Sequence, residues 1–312
     1  MERVLVTGGL GFIGSAVVRF LSKLTDFEIY VVDKWTYASD PRNLADTLDV
    51  KFFKMDLTDA ALTAKMVNDI NPDYIMHLAA ESHVDNSIRN PKVTIDSNII
   101  GTYNLLEAVR IMGARSKLKK FVHVSTDEVY GDLKAFGLPF TEDTPYNPSS
   151  PYSASKAASD HLVRAWNRTY GIPTVITNCS NNFGAYQHPE KLIPKTITSI
   201  LTMKKIPVYG NGLQVRDWLY VDDHADALCT VLLGAESGDT FNIGSRNPRT
   251  NIDIMYMICD YIDVRHPQGF DSCLLMHNVP DRAGLDTRYE VDRTLIETKL
   301  GWSTEVNFVE NF

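Results

Sequence analysis

Cysteine is scarce here: Cys179, Cys229, Cys259 and Cys273 are the only four in 312 residues. None stands in a C-x-x-C spacing or beside a histidine pattern of the zinc type, so the sequence predicts neither a disulfide framework nor a metal site. The thiols read as reduced core or near-site groups of a cytoplasmic protein. No basic run stands out, and 31 Lys and Arg against 39 Asp and Glu leave a formal charge of −8, which argues against a nucleic-acid partner. No apolar run approaches a membrane span. Met1-Glu2-Arg3-Val4-Leu5-Val6 runs straight into a strand, so neither a signal peptide nor a membrane anchor is expected. Internal repeats and low-complexity tracts are absent as well. What remains, 44% apolar and 22% charged residues, is a globular composition in a chain long enough to bury a large core.

The densest group of reactive side chains lies between Ser125 and Lys156. Ser125-Thr126-Asp127-Glu128-Val129-Tyr130-Gly131 follows Phe121-Val122-His123-Val124, which has the character of a strand buried in a parallel sheet. Ser150-Pro151-Tyr152-Ser153-Ala154-Ser155-Lys156 starts a helix, with Pro151 in a favoured first-turn position and Ser149 or Ser150 as the cap. Tyr152 and Lys156 then share a face, about 6 Å apart along the axis. A hydroxyl, two carboxylates, a phenol and an ammonium gather where open α/β sheets place their chemistry. Each part alone is ordinary. A Tyr-x-x-x-Lys pair is common on surface helices, and Asp-Glu after a strand is usually a solvated turn or a cap.

Their company makes the difference. Val4-Leu5-Val6 leads through Thr7-Gly8-Gly9-Leu10-Gly11-Phe12-Ile13-Gly14 into an amphipathic helix. Gly9, Gly11 and Gly14 fit the dinucleotide fingerprint, and Gly8, Gly11 and Gly14 fit its three-spaced variant. Glycines there let backbone N–H groups approach a pyrophosphate at the positive end of the helix. The second strand, Ile29 to Val32, ends on Asp33, placed to accept a ribose 2′-hydroxyl and to repel a 2′-phosphate; this predicts NAD over NADP. Further strands at Phe52-Phe53, Tyr74 to His77, Phe121 to Val124 and Thr174 to Thr177 alternate with helices near 59–68, 94–112 and 151–170. The expectation is an α/β fold, a doubly wound parallel (Rossmann) sheet. Asp56 and Leu57 fall on its adenine side, and His77 and His123 read as core histidines. After Cys179 the rhythm breaks into polar loops, with one more strand at Thr240 to Ile243. We expect 1–178 and 215–243 to form the NAD-binding domain. Residues 179–214 and 244–312 then form a smaller substrate-binding region over the sheet's carboxyl edge.

These stretches are joined by His77-Leu78-Ala79-Ala80-Glu81-Ser82-His83-Val84-Asp85, Ser149 to Arg168, Asn178 to Asn182, Pro189 to Pro194 and Arg216 to His224. Together they resemble an extended short-chain dehydrogenase/reductase, and more closely the dTDP-glucose 4,6-dehydratase family, over nearly the whole chain. Ala283 and Leu285 depart from it, standing where the family usually shows proline and histidine. The sequence also stops at Phe312, short of the family's usual length, so the last helix is expected to be clipped or absent.

The resemblance implies an NAD site and a nucleotide-hexose substrate, with no metal. NAD contacts carried over by position are Gly8, Gly11, Phe12, Ile13, Gly14, Asp33, Lys34, Asp56 and Leu57. They continue with Leu78, Ala79, Ala80, Ser82, Asn98, Ser125, Tyr152, Lys156, Cys179 and Asn182. Substrate contacts are His83, Thr126, Asn181, Lys191, Leu192, Arg216, Asn251, Arg282 and Tyr289, the two arginines suiting a diphosphate. The implied reaction oxidises C4 of the glucose, eliminates water across C5 and C6, and returns the hydride to C6. By the same resemblance Tyr152 takes the C4 hydroxyl proton, Thr126 hydrogen-bonds that hydroxyl, Glu128 is the base at C5 and Asp127 the acid at the C6 hydroxyl. Adjacent carboxylates can share such work if their environments separate their pKa values. Tyr152 would need to become about a thousandfold more acidic, on the order of 4 kcal/mol, with Lys156 and the positive nicotinamide as sources. A 4-epimerase needs neither carboxylate. The family also dimerises through the helices at 94–112 and 151–170, which implies a homodimer. UDP-glucose as substrate, a nucleotide-sugar 4-epimerase and a catalytically idle NAD-binding sensor are the alternatives.

Overall fold

The computed structural model describes residues 1–304 except 25, 46, 48, 135–136, 267–268 and 282. Its first half alternates strand and helix: β1 (Glu2–Thr7), α1 (Phe12–Leu21), β2 (Phe27–Asp33), β3 (Lys51–Lys54), α2 (Ala60–Ile70) and β4 (Tyr74–His77). There follow α3 (Val84–Arg89), α4 (Pro91–Ile95), α5 (Gly101–Met112), β5 (Lys120–Thr126), α6 (Pro151–Tyr170) and β6 (Thr174–Cys179). Beyond it come β7 (Asn181–Phe183), α7 (Leu192–Leu201), β8 (Ile206–Tyr209), β9 (Val215–Tyr220), α8 (Val221–Gly234) and β10 (Thr240–Ile243). The chain closes with β11 (Pro248–Thr250), α9 (Asn251–Arg265), β12 (Met276–Val279) and α10 (Thr294–Leu300).

Seven strands pair in the order β10-β6-β5-β4-β1-β2-β3, all parallel. Val4, Leu5 and Val6 are fully buried because helices cover both faces, which is why β1 reads as an unbroken apolar run. Val17, Leu21, Leu228 and Leu232 of α1 and α8 pack on one face. Val67, Leu105, Leu106 and Val163 of α2, α5 and α6 pack on the other. Strand order reverses between β1 and β4, which opens a crevice at their carboxyl ends. The doubly wound sheet is as expected, with β10 as its seventh strand.

Two local features set the site. The expected helix at 94–112 is broken by a π-helical turn, Asp96–Ile100, whose extra residue re-phases the helix and buries Asn98 at 1% exposure. At the start of α6 the cap is Ser150, with Pro151 in the first turn and a reciprocal capping box. Ser150 Oγ accepts from Ser153 N at 3.1 Å and Ser153 Oγ accepts from Ser150 N at 3.0 Å.

The smaller region is built on two short sheets, β11-β9-β7 and β12-β8, around Ile193, Ile200, Ile206, Ile254 and Ile258. Strand pairing corrects the expected division here. Trp218 and Leu219 of β9 pair with Asn181 and Asn182 of β7, so Val215–Tyr220 sits outside the seven-stranded sheet and the chain rejoins it only at α8. Among the described residues no helix is long and apolar enough to cross a membrane.

Candidate active site

The turn after β1 is shaped by backbone contact. Gly8 adopts φ +73° and donates its N–H to Val32 O at 2.7 Å. A Cβ on Gly14 would lie 2.1 Å from Gly8 O, and one on Gly8 would lie 2.7 Å from Ala79 N. α1 has neither a side-chain cap nor an acidic residue in its first turn, so its positive end is left for an anion. A turn so tight that Gly8 and Gly14 admit no Cβ, at an uncapped helix N-terminus, fits a dinucleotide pyrophosphate.

Gly8, Gly11, Phe12, Ile13 and Gly14 line one cleft together with Asp33, Lys34, Asp56, Leu57, Leu78, Ala79, Ala80 and Ser82. Asp33 is fixed by Leu10 N (3.1 Å), Trp35 N (2.8 Å) and Ser39 Oγ (2.8 Å), and Lys34 Nζ donates to Ser97 Oγ at 2.6 Å. Asn98, expected at the cofactor, lies behind the wall. It accepts from Glu81 N at 2.8 Å and donates to Ser155 Oγ at 2.8 Å, tying the loop after β4 to α6.

Ser125, Thr126, Asp127, Glu128, Tyr152, Lys156, Cys179, Asn181, Asn182 and Lys191 line the same cleft. Thr126 ends β5 and caps the short turn Asp127–Tyr130, accepting from Glu128 N at 3.3 Å. Asp127 is buried at 2% exposure while Glu128 is half-buried. Thr126 Oγ1 reaches Asp127 Oδ1 at 3.3 Å, and Asp127 Oδ2 is buried with no hydrogen bond among the described residues. Burial first, then the charge of Glu128, pushes the Asp127 carboxyl well above its ordinary pKa. A carboxyl so placed holds its proton more tightly than an exposed one does.

The buried Lys156 ammonium donates to Val124 O at 2.7 Å. Burial pushes it down and the Asp160 carboxylate opposes this. Tyr152 lies one turn earlier on α6. Burial and then Glu128 hold its phenol well above, not below, the ordinary value, with the Thr126 hydroxyl opposing.

The expected substrate residues fall into two groups. At the mouth of the cleft, Lys191 Nζ donates to Ser82 O at 3.2 Å and Leu192 opens α7. His83 caps α3, with its Nε2 3.4 Å from Glu190 Oε2. Further along, Arg216 stacks on the Tyr289 ring at 4.3 Å and donates to Asp286 O at 2.8 Å. Tyr289 OH donates to Asp286 Oδ2, and Ser149 Oγ to Asp286 Oδ1 at 2.6 Å. This group adjoins the carboxylates, since Arg216 counters the upward push on Asp127. Asn251 opens α9 and donates to Gln214 Oε1 at 3.4 Å. Arg282 lies outside the described residues.

Sequence reasoning missed Thr36, Ser39, Ser97, Gln187, His188 and Glu190 on the cleft wall. Thr36 and Ser39 follow Asp33 at a strand's carboxyl end, so topology alone could have found them. Asp286 carried no such signal, because its partner Ser149 lies 137 residues away.

A glycine cradle at the switch point of a parallel sheet, beside a Tyr-Lys pair one helical turn apart, defines an extended short-chain dehydrogenase/reductase. A family model described as GDP-mannose 4,6 dehydratase matches residues 5–312. The chain belongs to the dTDP-glucose 4,6-dehydratase family. It is 50% identical to the dTDP-glucose 4,6-dehydratase of Shigella flexneri, covering 98% of this chain and 89% of that one. The solved dTDP-glucose 4,6-dehydratase of Streptomyces venezuelae, with NAD bound, superposes with a TM-score of 0.91 at 40% identity, over 99% and 94% of the two chains. A UDP-glucose 4-epimerase of Thermus thermophilus, complexed with NAD, gives 0.88 at 29%, over 99% and 96%.

Proposed function

We infer that this chain is an NAD-dependent hydro-lyase converting dTDP-glucose to its 4-keto-6-deoxy sugar. One observation carries the reading: a buried carboxyl, Asp127, stands next to the half-buried Glu128 in the cleft that holds Tyr152 and Lys156. An epimerase has no use for that pair. The names of the relatives at about half identity support the same substrate.

The glycine cradle and Asp33 support NAD, which when bound takes a hydride from the sugar and returns it. In this reading Thr126 and Tyr152 hold the C4 hydroxyl, and Tyr152 accepts its proton. Glu128 removes the C5 proton, made acidic by the adjacent ketone. Asp127 gives its proton to the C6 hydroxyl, which leaves as water. We assign the diphosphate to Arg216, a buried planar donor whose hydrogen bonds go to the carbonyls of Val215, Asp286 and Thr287. Tyr289, Asn251, Leu192, Lys191, Asn181 and His83 complete the sugar-nucleotide side. Residues 1–178 with 221–243 then form the NAD-binding half, and the remainder the substrate half.

Incubation with dTDP-glucose is expected to give a product lighter by one water, with UDP-glucose used at least about tenfold less efficiently, the worth of one methyl and one hydroxyl contact. A product of unchanged mass would return the chain to the epimerases.

A homodimer through the helical run 91–112 and α6 is supported by apolar side chains left exposed there, among them Val93, Ile95, Ile100, Tyr103, Ile111 and Tyr170. Sedimentation is expected to give twice the chain mass, and Ile100→Glu to lower it to the monomer; a monomeric parent at micromolar concentration removes this proposal.

A further inference from the structure

Below the Tyr-Lys pair, α6 carries two more charged groups at the same spacing. Tyr152, Lys156, Asp160 and Arg164 stand one turn apart and share a face. Asp160 is fully buried, yet two hydroxyls donate to one of its oxygens: Ser125 Oγ at 2.8 Å and Tyr146 OH at 2.9 Å reach Oδ2. Its Oδ1 lies 3.2 Å from His123 Nε2, out of hydrogen-bond alignment. A carboxylate so enclosed stays charged only with a cation to answer it. We propose that Asp160 is a positioning residue for the hydride step, its buried carboxylate holding the Lys156 ammonium charged beside Tyr152. The proposal rests on the reading of Tyr152 and Lys156 given above.

His123 is a close neighbour of Asp160 and comes ahead of Lys156 in holding its carboxyl down. His123 on β5 is pushed down to about 4 by burial. His77 on β4, also pushed well down, bonds Thr7 and Thr102. Cys179 on β6 is pushed up to about 12 by burial, and Tyr130 and Tyr146 are also raised. Arg164 is spent on Tyr146, bonding its hydroxyl at 2.9 Å and covering its ring at 4.9 Å. Asp127 and Glu128 lie on the Tyr152 side of the pair. Lys156 donates to Val124 O, and the next residue of β5, Ser125, donates to Asp160, so the ammonium and the carboxylate are held at one strand end a helical turn apart.

The consequence is a matter of which proton leaves first. Burial and Glu128 make Tyr152 hold its proton tightly, and burial makes Lys156 give its proton up easily. Asp160 is nearer to Lys156 than to Tyr152 along the helix, so it favours the ammonium–phenolate form over the neutral pair. Without it the pair ionises at lower pH, and the proton lost is the lysine's.

The test uses the holoenzyme in a Glu128→Gln background, following reduced nicotinamide on mixing with dTDP-glucose across pH. Asp160→Asn is expected to lower the plateau rate roughly tenfold and to move the acid limb to lower pH, while Asp160→Glu restores both. A parental profile in Asp160→Asn, or equal impairment in Asp160→Glu, overturns the proposal. Should Asp160→Asn fail to fold, Asp160→Glu decides: an unmoved limb supports the role, and a displaced limb with the charge in place refutes it. Tyr152→Phe separates the two levels, because full oxidation by that variant would refute the underlying assignment of Tyr152 and not merely that of Asp160.

Discussion

Glu128→Gln is expected to oxidise its substrate and then stop. Steady-state turnover falls roughly a hundred- to ten-thousandfold, the usual worth of a positioned base, while reduced nicotinamide builds up to about one equivalent per site. The substitution keeps the shape at the end of β5 and the backbone N–H that Thr126 Oγ1 accepts. It also removes the charge that, after burial, raises Tyr152 most, so oxidation proceeds at a pH no higher than in the parent. Stopped-flow absorbance with a product assay reads both halves. Undiminished turnover would end the assignment of Glu128 as base, and loss of oxidation as well would place it in the hydride step.

Asp127→Asn is expected to separate activity from stability. The amide cannot protonate a leaving hydroxyl, so turnover falls by a similar roughly hundred- to ten-thousandfold. The fold responds the other way. The Asp127 carboxyl is held above its ordinary pKa in the folded chain, so the native state binds this proton more tightly than the unfolded one. That stabilisation is complete below the ordinary carboxyl pKa and is lost as pH rises through the raised value. Asparagine has no such loss. Melting curves across pH are therefore expected to diverge on the alkaline side, with the variant the more stable. Parental activity in the variant would remove Asp127 as the acid, and parallel melting curves would mean that the carboxyl is not held protonated.

Much of this site was legible because its signals are local. The glycine turn, Asp33 closing β2, and the Thr126-Asp127-Glu128 run each declare themselves within a few residues, and burial of both sheet faces writes the parallel strands as apolar runs. What escaped depends on distant partners. β9 looks like any short strand, and only its pairing with β7 and β11 takes it from the main sheet. Asn98 was expected at the cofactor, but a π-helical turn aims it at Glu81 and Ser155. The direction of the Tyr152 shift is set first by burial and then by a carboxylate 24 positions earlier in the chain, a balance that a motif does not encode.

Tyr152 occupies the first turn of α6, the part of a helix that frays most readily, because its N–H groups have no partners within the helix. Here Ser150 and Ser153 close that turn on each other. Anyone grafting a Tyr-x-x-x-Lys pair onto another scaffold should therefore move Ser-Pro-Tyr-Ser as one piece. The phenol and the ammonium bring the reactivity, but the two serines aim it, and a transplant without them would inherit the right chemistry pointed in no fixed direction.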